Sequence, residues 1–122
     1  MGPEELIWCK LYICDRYRFD GADIAHIILK QGSSLDWKWL MHRAEQHWDL
    51  LFAQILHFQF VYPADRDCVP SWVMEELLQR TNHRMSLPIP QDKVCRGPYI
   101  SQTQYEVAIT QWGYKAVTYG TI

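Results

Sequence analysis

Apolar residues recur at helical spacing over most of this chain, and the breaks between them mark out the elements. Pro3 at a first helical position, with Glu4 and Glu5 in the first turn, starts a helix well, because proline's missing N–H is not needed there and the acids complement the dipole. Leu6, Trp8, Cys9, Tyr12 and Ile13 follow at helical spacing, so the first helix is expected from about Pro3 to Arg16. Asp20 is placed to cap a second helix, which carries Ile24, Ile27 and Ile28 on one face and ends near Gly32 as a left-handed cap. Ser33 or Ser34 opens a third, with Trp37, Leu40 and Met41 inward and Lys38, Arg43 and Glu45 outward. A fourth, in HWDLLFAQILHFQFVY, is apolar on most of its circumference and stops before Pro63, a pattern that belongs to the middle of a fold.

ADRD makes a polar loop, and VPSWVMEELLQR restarts a fifth helix with a proline near its first turn. From Thr81 to Pro98 three prolines and sparse apolar residues predict a connecting arm. ISQTQYEVAITQWG then places Ser101 and Gln104 at capping-box spacing, Ile100 and Tyr105 at staple positions and Gly113 as the stop of a sixth helix. Outside KAVTYGTI at the end, no stretch alternates with a strand's period of two. The expected architecture is all-α: a five-helix bundle over residues 1–83, then an extended arm and a sixth helix over 84–122, one domain overall.

Composition narrows the class. A chain of 122 residues buries roughly two-thirds of its unfolded surface, enough for a core without staples. Six tryptophans among 48% apolar residues speak against a disordered tail. A net charge of −2 supplies no broad positive field, which makes a nucleic-acid partner an unfavoured reading. Cys9, Cys14, Cys68 and Cys95 form no C-x-x-C, so reduced thiols are expected rather than a metal site or a disulfide framework. MGPEELIWCK reads as no signal peptide and as no myristoylation start, and Gln54, His57 and Gln59 interrupt the longest apolar run before it reaches the length of a membrane span. A soluble cytoplasmic protein is expected.

Candidate chemistry gathers in DRYRFDGADIAHII, residues 15–28, where three acids and two arginines surround one glycine at the mouth of an apolar helix. Asp20, Asp23 and His26 follow at i, i+3, i+6. In the simplest account Asp20 caps, Asp23 offsets the dipole and His26 lies on the surface. Lys10 adds a second account. It interrupts an apolar face where a leucine would pack better, and so asks for an anionic partner: Asp20 or Asp23 in a structural ion pair, or a ligand phosphate. His42 and His47, five apart, suit surface or satisfied core positions better than a shared metal, and His57 suits a hydrogen-bonded core position. Trp37, Trp48 and Trp72 read as core anchors, and Asp65, Arg66 and Asp67 as a solvated turn or a rim contact.

The segments EELIWCKLYICDRYRFDGADIAHII, VYPADRDCVPSWVMEELLQR and VCRGPYISQTQYEVAITQWGY resemble the C-terminal half of bacterial nucleotidyltransferase-family proteins of the DNA polymerase beta superfamily, related to the abortive-infection antitoxin type. The resemblance runs from about Pro3 to Tyr114. It implies that Lys10, with Arg16 or Arg18, contacts the triphosphate at a nucleotide-binding cleft whose edge Asp20 and Asp23 order. The chain departs from that pattern in lacking the glycine-serine motif and the metal-binding carboxylates of the catalytic half. The implied role is one wall of the cleft, without catalysis alone. Mg2+ and a nucleoside triphosphate are then expected only if a separately encoded N-terminal half completes the site, and the apolar surface that half would cover favours a homo-oligomer. The rival expectation is a non-catalytic interaction or dimerisation module with aromatic contacts.

Overall fold

A computed structural model of the chain describes residues 2–12 and 21–116, apart from the side chains at 21, 102 and 103. The fold is mostly helical, and it divides into two compact units: residues 1–11 with 20–87, and residues 12–19 with 88–122.

In the first unit, α1 spans Pro3–Lys10, α2 Gly21–Gln31, α3 Trp37–Arg43, α4 Trp48–Val61 and α5 Ser71–Ser86. Short 3-10 turns at Gly32–Ser34, Glu45–His47 and Pro63–Cys68 link α2 to α3, α3 to α4 and α4 to α5. Ile24 and Ile28 of α2 pack along α4, whose Leu51, Ile55 and Phe58 are fully buried. Val73 and Leu77 of α5 join this core, as do Ile7 of α1 and Leu40 of α3. The inward set expected for α3 is the one observed, with Trp37, Leu40 and Met41 all buried.

Four local expectations change. First, α1 stops at Lys10, not Arg16, and the Leu11 N–H closes its last turn on the Ile7 carbonyl at 3.0 Å. Tyr12 belongs to the second unit, where its ring lies 6.4 Å from that of Tyr99. Second, Gly32 follows α2 as expected but is not left-handed, since Gly113 is the one positive-φ residue among those described. It is small because Cys68 crosses it: a Cβ there would lie 2.7 Å from the Cys68 carbonyl oxygen. Third, Asp36 and not Ser33 or Ser34 caps α3, its Oδ1 accepting the Trp39 N–H at 3.0 Å. The Ser34 hydroxyl turns back to the Gln31 carbonyl. Fourth, α5 continues through the expected start of the arm to Ser86. Arg84 anchors that last turn, with its guanidinium 2.8 Å from Asp49 and stacked 4.7 Å over the Trp48 ring.

In the second unit, β1 (Val94–Cys95) pairs in parallel with β2 (Lys115–Ala116), in the register Val94 to Lys115. Between them α6 spans Gln102–Thr110. Its ends are those the sequence predicts: the Ser101 hydroxyl accepts the Gln104 N–H at 3.2 Å, and Gly113 at φ +77° lets the Tyr114 N–H return to the Ala108 carbonyl at 3.0 Å. Tyr105 lies against Gly97 so closely that a Cβ at Gly97 would fall within its ring. The strand expected in KAVTYGTI appears at Lys115–Ala116, and the rest of it lies outside the described residues.

Candidate functional site

Two of the five expected site residues meet. The last turn of α1 and the first turn of α2 bring Lys10 Nζ to 3.2 Å from Asp23 Oδ2. Arg16, Arg18 and Asp20 lie outside the described residues. The Lys10 side chain is 19% exposed and that of Asp23 is 45% exposed, so water screens the pair from one side. Of the alternatives left open for Lys10, the structure shows the ion pair with Asp23. The carboxylate neutralises the ammonium, so a phosphate arriving at Lys10 meets a dipole and not a bare positive charge.

His26, next on the same helix, is exposed but engaged: its Nε2 lies 2.8 Å from the Tyr62 hydroxyl just beyond α4, with the two rings tilted at 55°. Asp65, Arg66 and Asp67 occupy the 3-10 turn between α4 and α5. Burial pushes the neighbouring Cys68 thiol above its ordinary range, and the negative charges of Asp65 and Asp67 add to the shift. Of the three expected tryptophan anchors, Trp37 is buried and Trp48 is half-buried under Arg84, whereas Trp72 is 41% exposed. That last expectation is corrected because Trp72 lies on the side of α5 turned away from Val73 and Leu77.

Two shallow hollows lie on the α3 side of α5. The larger, about 420 Å³, has Trp48, Arg80 and His83 among its lining residues. The smaller, about 260 Å³, shares Glu76 and Arg80 with it and reaches His42 and Trp72. Within them Arg80 pairs with Glu76 at 3.4 Å and Arg84 with Asp49 at 2.8 Å, so the local charge is largely compensated.

On the other side of α4 and α5 the surface is apolar. Phe60 is 85% exposed, Met85 77%, Leu78 51% and Leu56 48%. Sequence reasoning missed these residues because α4 is apolar nearly all round, and such a pattern does not say which side faces the core. The available signal was an excess: Leu56 and Phe60, at i and i+4, form a second apolar row beyond Leu51, Ile55 and Phe58.

No family model, characterised protein or solved structure matches the chain. The nucleotidyltransferase resemblance therefore stands on the quoted residues alone.

Proposed function

We propose that α1 to α5 act as one five-helix bundle whose work is non-catalytic: an interaction module that presents the apolar outer side of α4 and α5 to another polypeptide. The observation carrying this reading is Phe60. A phenylalanine in the last turn of α4, 85% exposed and four residues from the exposed Leu56, is part of an apolar patch of the kind that marks interaction sites. Aromatic side chains of this kind concentrate binding energy at protein interfaces. The free thiols of Cys9, Cys68 and Cys95 suit a reducing compartment, and we place the protein in the cytoplasm. Among the described residues no helix is long and apolar enough to cross a membrane.

The test is a photoreactive phenylalanine analogue at position 60, irradiated in cells, with the same analogue at the exposed Gln46 as control. The expected result is a discrete protein adduct from position 60 and none from position 46. Adducts from both positions alike, or from neither, remove the reading.

A second reading, carried by the quoted sequence resemblance, is the wall of a nucleotide cleft; the ion pair of Lys10 with Asp23 weighs against it, since the carboxylate competes with a phosphate for the ammonium. Magnesium and a nucleoside triphosphate belong to it only with a separately encoded catalytic half. Calorimetry with ATP, GTP, CTP and UTP plus magnesium tests it: the wild type should bind one nucleotide and Lys10→Ala should bind it more weakly. Equal binding by the two proteins takes Lys10 out of the site.

A further inference from the structure

The larger hollow beside α5 is built by two helices. Gln79, His83 and Arg84 of α5 line it together with Leu87, which follows the helix, and their spacing of three and four residues makes them one stripe. The first residue of α4, Trp48, is the other contributor. Arg84 ties the two together. Its guanidinium lies 4.7 Å over the Trp48 ring and 2.8 Å from the Asp49 carboxylate. The N–H bonds of a guanidinium lie in its plane, so Asp49 occupies an edge and the indole covers one flat face. The second flat face remains, on a side chain that is 56% exposed. A platform of this kind is held from two directions before any ligand arrives.

We propose that this hollow binds an uncharged, planar aromatic compound of small-molecule size, whose ring stacks on the open face of Arg84 and whose polar edge hydrogen-bonds Gln79 and His83. Charge excludes the alternatives. Arg84 is balanced by Asp49, and Arg80 by Glu76 at 3.4 Å, so both arginines of the hollow are already paired. An ion entering it gives up hydration and finds no spare counter-charge, whereas an uncharged ring gives up little. A guanidinium paired along its edge still attracts the negative face of an aromatic ring and matches it in shape. The edge groups are available: the side chains of Gln79 and His83 are exposed and make no hydrogen bond among the described residues. An amide and a neutral imidazole each offer a donor and an acceptor, which suits a ligand edge carrying both. The volume of about 420 Å³ falls within the range of roughly 300–1,000 Å³ common for small-molecule sites. The site lies across α4 and α5 from Phe60, so it goes beyond the interaction reading and does not depend on it.

Three probes of one size separate the requirements. Benzamide is flat and uncharged, cyclohexanecarboxamide keeps the amide but has a puckered ring, and benzoate keeps the ring but carries a charge. The full chain is titrated with each, and the nuclear magnetic resonance shifts of the Trp48 indole N–H and of the Gln79 and His83 backbone amides are followed. Benzamide should shift these signals to saturation and bind roughly fivefold or more tightly than either of the others. Arg84→Lys keeps a positive charge for Asp49 and removes the flat face, so it should lower benzamide to the level of cyclohexanecarboxamide. Gln79→Ala, exposed and inside α5, repeats the test away from the helix end and should weaken benzamide roughly threefold. Trp72→Ala, which alters the smaller hollow alone, should leave binding unchanged. Benzoate binding as tightly as benzamide would make this an anion site and overturns the proposal. So does equal binding of the saturated amide, no saturable shift at these three residues, or an aromatic preference that survives in Arg84→Lys. Unweakened binding in Gln79→Ala overturns the assigned edge contact, and a loss in Trp72→Ala moves the ligand to the other hollow. None of these results bears on the photoadduct at position 60, so the two readings fail separately.

Discussion

At the scale of single residues, of the partners left open for Lys10 (Asp20, Asp23 or a ligand phosphate) the ion pair with Asp23 is present, and its setting limits what it can do. Asp23 is nearly half exposed, so the pair contributes at most about 1 kcal/mol, and a double-mutant cycle of Lys10→Met with Asp23→Asn should return a coupling within that bound by urea unfolding. A larger coupling would mean that the pair is better shielded than its exposure indicates. Gln54 is the opposite case. It is buried on the core side of α4, and its Oε1 accepts no hydrogen bond from the described residues. Gln54→Met should therefore leave stability unchanged or raise it by about 1 kcal/mol, whereas a loss would reveal a partner for that oxygen. Cys68 gives a pH dependence. Its folded-state affinity for the proton exceeds that of the unfolded thiol, so the stability it lends is present below the ordinary thiol range and fades as pH rises through the raised value. Subtracting the Cys68→Ser profile from the wild-type profile should isolate that alkaline decline. A flat difference removes the shift. Sequence showed that Lys10 wanted an anion; it could not choose between a neighbouring acid and a ligand, because that choice depends on how α1 meets α2.

At the scale of elements, what could be read was what is decided locally. The Ser101 cap and the Gly113 stop of α6 follow from residues within a few positions of one another, and both are found. The extra turn of α5 was not legible, because Asp49, which holds Arg84, is 35 positions away in the chain. Gly32 shows the same division: its place after α2 is written locally, but its cause is the crossing of Cys68 and not a left-handed backbone. Gly32→Ala should accordingly cost about 1–3 kcal/mol as an overpacking substitution, measured by denaturant unfolding. If the glycine served only as a flexible stop, alanine in this non-left-handed backbone would be neutral or stabilising. Asp36→Ala should cost about 1 kcal/mol through loss of the α3 cap, while Ser33→Ala should cost little. The reverse order would return the cap to the serines.

At the scale of the molecule, a helical chain was legible from apolar spacing, but the outward side of α4 was not, since an evenly apolar helix carries no sign of which row meets the core. The second unit poses a related question of where the chain is most open to attack. Residues 82–94 are all exposed, and α5 gives way at Leu87, whose own backbone is extended at φ −85° and ψ 154°, to a stretch without helix up to β1. Lys93 stands where this run enters a strand of two residues, and Lys115 stands in its two-residue partner. Lys30 and Lys38 sit in α2 and α3, which help to enclose the core. A protease must draw several residues into an extended form, and releasing two ladder residues disturbs far less packing than unwinding a helix against Ile28 or Leu40. Lysyl endopeptidase should therefore cut first after Lys93 and Lys115 and only later after Lys30 and Lys38, with fragment masses read over time. Early cleavage after Lys30 or Lys38 would show that the helical unit opens more readily than the short ladder, and that the core around Leu51, Ile55 and Phe58 is not the most stable part of the chain.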